Sequence, residues 1–186
     1  NSKKLQFEID EKAFQADMLT DVDIAHKLAT DGKTEEGQIA AWKVEINKEA
    51  FQGNHLSHVT LGNITALADN STVDIKDAAF SNFQIVGGTD FVDADVATAK
   101  YVQIGNITDD PTYGVTATIG KRAFSAFALT GVTIGNMTAS EITINEAAFA
   151  GKKLESVTIG NMAPTITGLT VNELAFANEN TAEADD

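Results

Sequence analysis

The chain has no cysteine. That removes disulfides, thiolate metal sites and cysteine nucleophiles together. It leaves the compartment open, because a protein with a large apolar core can persist outside the cell without a disulfide staple. No run of about 18 apolar residues occurs, so no segment reads as a membrane-spanning helix. Basic residues are few: 13 Lys and Arg stand against 27 Asp and Glu, a formal charge of −14. Phosphate backbones are bound by clustered positive charge, so neither nucleic acid nor an anionic membrane is an expected partner. Catalytic motifs are missing too. There is no G-x-S-x-G for a nucleophile elbow, and Gly87-Gly88 lacks the GK[ST] context of a phosphate loop. The first residues, Asn1-Ser2-Lys3, carry no methionine, which reads as a fragment or a mature form relieved of a targeting segment.

What is present is repetition. The chain of 186 residues is 43% apolar, enough for one domain with a sizeable core. The phrase VTIGNM begins at Val132 and again at Val157. Two short patterns alternate. The first ends in Ala-Phe: FEIDEKAF (7–14), VEINKEAF (44–51), VDIKDAAF (73–80), ATIGKRAF (117–124), ITINEAAF (142–149) and LTVNELAF (169–176). The second is LSHVTLGNI (56–64), AKYVQIGNI (99–107), LTGVTIGNM (129–137) and LESVTIGNM (154–162), with a worn copy, LTDVDIAHK (19–27). From Phe14, Phe51, Phe124 and Phe149 the next second-pattern Val (Val22, Val59, Val132, Val157) always follows after 8 positions. From Phe80 to Val102 the interval is 22, which places an insertion within 81–98.

Self-similarity at this period indicates stacked coils. Val-x-Ile alternation is the period of a half-buried strand, and equivalent strands can pair in parallel about 4.8 Å apart over a shared core. The reading is a solenoid of about five coils, mostly parallel β, with short strands or turns on the opposite wall. Phe14, Phe51, Phe80, Phe124, Phe149 and Phe176 should form one buried column, and the preceding Ala should leave room for each ring. Gly62, Gly105, Gly135 and Gly160 are expected to turn the chain by adopting angles that a side chain penalises. The neighbouring Asn residues are expected to bond locally. That reading also accounts for three of the four formal glycosylation sequons, at Asn63, Asn106 and Asn136; the fourth is at Asn70. Residues 1–178 form one solenoid on this view, and the acidic 179–186 reads as a disordered tail.

Leu-x-x-Val-x-Ile followed by Ile-x-x-x-Ala-Phe resembles the BspA-like leucine-rich repeats. Leu154, Val157, Ile159, Met162, Val171, Ala175 and Phe176 carry the match, with Gly where that subtype has Pro after the strand. The resemblance implies a leucine-rich-repeat fold and an extracellular or surface-attached bacterial protein, described in that family as an adhesin or host-interaction module.

Metal and cofactor chemistry are not expected. His55 and His58 lie three apart, on opposite faces of a strand. Asp90, Asp93, Asp95, Asp109 and Asp110 lack the D-x-[DN]-x-[DN]-G spacing of a calcium loop and read as solvated loop acids. Binding is expected on the outward positions of the Val-x-Ile strands. These form two ladders: Asp21, His58, Tyr101, Gly131, Ser156 and Asp23, Thr60, Gln103, Thr133, Thr158. The candidates are His58, Thr60, Tyr101 and Gln103, with Phe91 of the insertion beside them. The expected act is non-catalytic engagement of a host protein or glycan. The alternatives are a spacer without a ligand, favoured if the face carries only Thr, Ser and Asp, and a hydrolase with acids from separate coils.

Overall fold

The computed structural model describes residues 6–15, 18–24, 38–41, 43–53, 56–66, 71–81, 83–86, 90–93, 100–108, 115–126, 129–151, 153–162 and 166–178. The first coil contains β1 (Gln6–Ile9), β2 (Asp21–Ile24) and β3 (Gln38–Ala41). The second contains β4 (Lys43–Ile46), β5 (His58–Leu61) and β6 (Asn63–Ala66). The third runs through β7 (Ser71–Ile75), β8 (Phe83–Val86), β9 (Asp90–Asp93), β10 (Lys100–Ile104) and β11 (Ile107–Thr108). Then come β12 (Val115–Ile119) with β13 (Leu129–Ile134), β14 (Glu141–Ile144) with β15 (Ser156–Ile159), and finally β16 (Gly168–Val171).

Three parallel ladders result. The Ala-Phe strands make a six-stranded sheet, β1-β4-β7-β12-β14-β16, and the Val-x-Ile strands a five-stranded one, β15-β13-β10-β5-β2. A third, shorter ladder, β11-β6-β3, is continued by single bridges from Ile107 to Met137 and from Met137 to Met162. Sequence order is spatial order along the stack, as a solenoid requires. Among the described residues only β8 and β9, inside the expected insertion, pair antiparallel. The expectation for residues 179–186 lies outside the described residues.

Alternation explains the core. Val59 and Leu61, Val102 and Ile104, and Val132 and Ile134 point inward and are buried, as are Val44, Ile46, Val73, Ile75, Ile142 and Ile144 on the other wall. Between the walls stand the six phenylalanines. Consecutive rings from Phe14 through Phe51, Phe80, Phe124 and Phe149 to Phe176 lie 4.9–5.2 Å apart, with planes within 8° of parallel. The separation matches the coil rise and falls in the favourable range for aromatic pairs.

Each ring is set by the turn before it. Residues 10–13, 47–50, 76–79, 120–123, 145–148 and 172–175 close turns in which the Ala N–H donates to the carbonyl three residues earlier. The residue two before each Phe is left-handed: Lys12, Glu49, Ala78, Arg122, Ala147 and Leu174 have φ of 52–60°. None is glycine, although this conformation costs an L-residue about 1–2 kcal/mol. The conformation aims the N–H of that residue at the next coil. Lys12, Glu49, Ala78, Arg122 and Ala147 donate to Lys48, Asp77, Lys121, Glu146 and Glu173 at 2.9–3.3 Å. Two residues on, the Phe N–H donates to the carbonyl of the next coil's Ala at 2.7–2.8 Å. Ala78→Gly keeps these bonds and relieves the strain, at a smaller cost in unfolded-chain entropy. Its expected effect is a gain of about 0.5–1 kcal/mol, read by urea denaturation. A loss of stability would show that the turn is not strained.

The glycines after the Val-x-Ile strands have a different reason from the one expected. Among the described glycines only Gly53 has positive φ. Gly105 instead lies so close to the preceding coil that a Cβ would stand 2.6 Å from Asn63 Oδ1 and 2.7 Å from Asn63 N. Gly135 and Gly160 face Asn106 and Asn136 in the same way. The asparagines bond between coils rather than locally. Asn106 N–H donates to Asn63 Oδ1, Asn136 N–H to Asn106 Oδ1 and Asn161 N–H to Asn136 Oδ1, each at 2.8 Å. Gly brings the corner close enough for Asn to bridge it, so Gly-Asn recurs as a pair.

Candidate functional site

Parallel pairing in register turns outward positions into rungs. On the five-stranded sheet Asp21 pairs with His58, His58 with Tyr101, Tyr101 with Gly131 and Gly131 with Ser156. The adjacent rung is Asp23, Thr60, Gln103, Thr133, Thr158. Both ladders follow the order expected from the spacing. His58, Thr60, Tyr101 and Gln103 therefore sit together on β5 and β10, at the centre of the face. His58, Tyr101 and Gln103 are exposed, and Thr60 is half-buried. Phe91 lies on β9, where its backbone pairs with Ile85; its side chain lies outside the described residues.

Contacts along the first rung order its side chains. The His58 and Tyr101 rings stack, with centroids 5.8 Å apart and planes 14° from parallel. His58 Nδ1 lies 3.0 Å from Asp21 Oδ1, and the Thr20 hydroxyl donates to Asp21 Oδ2 at 2.8 Å. The Thr20 hydroxyl first, and His58 second, hold the Asp21 carboxyl below its usual range. Beyond Tyr101 the rung holds Gly131. A Cβ there would meet Tyr101 Cδ1 at 3.0 Å and Ser156 Oγ at 3.2 Å, so glycine is what lets the tyrosine ring lean along the sheet. A small apolar notch of about 20 Å³ opens beside it, lined by Leu56, Val59, Phe80, Tyr101, Phe124 and Leu129 among others.

Asp21 and Gly131 were visible in the sequence as ladder members but not as site residues. The signal was their rung position: one sequence-neighbour of His58 through the sheet supplies a carboxylate, and one of Tyr101 supplies empty space.

The other wall carries a carboxylate rung, Glu8, Glu45 and Asp74. It is built for charge balance. Lys43 and Lys76 both pair with Glu45, Lys76 also reaches Asp74, and Asn47 Nδ2 donates to Glu8. Lys43 first, with further help from Lys76, holds the Glu45 carboxyl below its usual range. A carboxylate kept ionised by two ammonium groups is unsuited to general-acid work, which needs a raised pKa. A broad polar hollow of about 420 Å³ lies on the turns at Lys121, Asn145, Glu146, Asn172 and Glu173. There Lys121 pairs with Glu146 at 2.8 Å and Asn172 Nδ2 donates to Asn145 Oδ1 at 2.9 Å. Among the described residues no group of three or more His, Asp or Glu is placed to hold a metal ion. His55, Asp95, Asp109 and Asp110 lie outside those residues. No helix among them is long and apolar enough to cross a membrane.

The ladders define a parallel β-solenoid of leucine-rich-repeat type. Residues 111–183 match the family described as BspA type leucine rich repeat region (6 copies). The repeats in that stretch are similar to BspA-type leucine-rich repeats, and β1–β7, β10 and β11 extend the parallel ladders on its N-terminal side. No curated protein and no solved structure matches the chain.

Proposed function

We propose that the chain is a non-catalytic binding module of a bacterial surface or secreted protein, and that it engages a protein or glycan through the centre of its five-stranded sheet. One observation carries the reading. A grouped aromatic and polar patch, His58 stacked on Tyr101 beside Gln103 and Thr60, interrupts a face otherwise made of Asp, Thr, Ser and Gly. A spacer has no use for a half-exposed tyrosine on the central strand of its five-stranded sheet, whereas tyrosine is enriched where proteins bind. The BspA-type repeats support the surface setting.

The test is an array of extracellular-matrix proteins and glycans probed with the wild-type chain, Tyr101→Ala, Gln103→Ala and a deletion of residues 83–98. A specific hit should weaken at least about tenfold in Tyr101→Ala, the scale of a hot spot, with folding unchanged. A hit indifferent to both point variants would move the site elsewhere. No hit at all would favour the spacer. Loss on deleting 83–98 alone would transfer the site to the β8–β9 hairpin.

A further inference from the structure

We propose that the apolar notch beside Tyr101 is a subsite for the acetamido methyl group of a neutral glycan, so that the ligand of this face contains an N-acetylhexosamine. The inference rests on the binding reading above and names its ligand.

A missing leucine coincides with the notch. The residue three before the strand valine is Leu19, Leu56, Leu129 and Leu154 in four coils, and Ala99 in the third. The leucines belong to the core: Leu56, Leu129 and Leu154 are buried and Leu19 packs against the same cluster. Ala99 itself lies outside the described residues. The notch is lined by both leucines that flank the third coil, Leu56 and Leu129, and by two rings of the column, Phe80 and Phe124. A chain that repeats its core residues so closely leaves the isobutyl group out at one coil, the coil that carries Tyr101 and Gln103. A hole of this kind costs stability, and breaks in an otherwise consistent pattern are expected at functional sites.

Size and lining select the group that enters. At about 20 Å³ the notch has room for one small group. Ser57 is the one polar residue of its lining besides Tyr101, so a water would find few partners there and a methyl group fits.

The surroundings select what carries the methyl. Tyr101 lines the notch and is 49% exposed. Its ring offers an apolar face on which a pyranose can lie with its rim hydroxyls left free. Two residues further along the strands, Thr60, Gln103 and Thr133 form a rung of hydroxyl and amide groups, the donors and acceptors that sugar hydroxyls need. The two rungs of this face carry Asp21 and Asp23 and no Lys or Arg, in a chain of net charge −14. Sialylated and sulfated glycans are therefore repelled. A neutral N-acetylated sugar meets every condition: its ring on Tyr101, its methyl in the notch, its hydroxyls on the polar rung.

The probes are tri-N-acetylchitotriose and cellotriose, trimers of the same linkage that differ in carrying acetamido or hydroxyl groups. Calorimetric titration of the whole chain should show the acetylated trimer binding at least about tenfold tighter, the scale of one methyl in an apolar pocket. In saturation-transfer NMR its methyl protons should receive the largest share of the signal. Tyr101→Ala should weaken binding at least about tenfold. Ala99→Leu restores the side chain of the other coils. It should raise the urea midpoint and abolish the preference for the acetylated trimer; a lower midpoint would mean that the notch is not a leucine vacancy and overturns the proposal. Ala126→Val narrows the notch from a second position of its lining and should remove the preference as well. Equal binding of the two trimers, or a preference that survives both filling variants, overturns the proposal. Binding that appears only after residues 83–98 are deleted overturns it too, since the insertion would then fill the notch in the native chain. If neither trimer binds while the array yields a protein ligand that depends on Tyr101, this inference falls and the binding reading stands. If the array is blank as well, both fall.

Discussion

Phe149→Ala will lower the unfolding free energy by about 3–5 kcal/mol, a large part of the stability of a typical domain of about 5–15 kcal/mol. Phe149 is fully buried. Its ring lies between Phe124 at 5.2 Å and Phe176 at 5.1 Å, with planes 1° from parallel to both. Three terms add: transfer of the ring to water, the cavity left in its place, and loss of two aromatic contacts worth about 0.5–1.5 kcal/mol each. The cavity cannot collapse, because both walls are hydrogen-bonded ladders whose spacing is fixed by coils above and below. Guanidinium denaturation followed by circular dichroism measures the loss. Phe14→Ala provides the internal comparison. That ring stacks on Phe51 and is 43% exposed, so its removal should cost clearly less. Equal costs would mean that the column is not a continuous packed unit.

Gly135→Ala should cost the upper end of the overpacking range, about 1–3 kcal/mol, for the addition of a single methyl group. The new Cβ would stand 2.6 Å from Asn106 Oδ1 and 2.8 Å from both Asn106 N and the Gly105 carbonyl carbon. Two of those three atoms are backbone. They can retreat only by widening the gap between coils, which stretches the bond from Asn136 N–H to Asn106 Oδ1. Gly168→Ala is the control, since its nearest neighbour is a flexible side-chain atom, Glu141 Cγ, at 3.8 Å. Thermal denaturation of the two variants side by side separates close approach from chain entropy. A Gly168→Ala variant as damaged as Gly135→Ala would refute the close-approach explanation.

Much of the architecture was legible because a parallel stack punishes irregularity. If one strand of a ladder slips by a residue, its apolar side chains leave the core. The Val-x-Ile pattern therefore had to recur, even where the insertion lengthens the interval from Phe80 to Val102 to 22, and it specified the pairs Tyr101 with His58 and Gly131 with Tyr101. The phenylalanine column was legible for the same reason. The left-handed residue two before each Phe was not. Its identity runs from Lys and Glu through Ala and Arg to Leu, because the conformation belongs to the backbone turn before each Phe, reinforced at five of the six by a bond to the next coil, Ala78 N–H to the Lys121 carbonyl for example, and no side chain is asked to favour it. The role of Gly105 and Gly135 was misread on similar grounds. Sequence shows that a glycine stands at a corner, whereas the presence of another backbone within 3 Å of where a Cβ would stand is a property of the stack.

The candidate site was legible in position and not in contacts. Rung order placed His58, Tyr101 and Gln103 together. It could not show that Tyr101 leans over Gly131 or that Asp21 holds His58, since those depend on rotamers that only packing selects.

Because chain order and stacking order coincide in all three ladders, the two ends of the described chain lie at opposite ends of the pile. Tension applied between them loads the outermost rung first. Each coil can be peeled off singly, as a zipper opens, instead of all rungs failing together in shear. A detached coil releases the 25–44 residues that separate successive phenylalanines, about 85–150 Å of extended chain, where it had occupied about 4.8 Å of the stack. Under a pulling load such a molecule would lengthen in large steps at modest force while the remaining coils keep their shape.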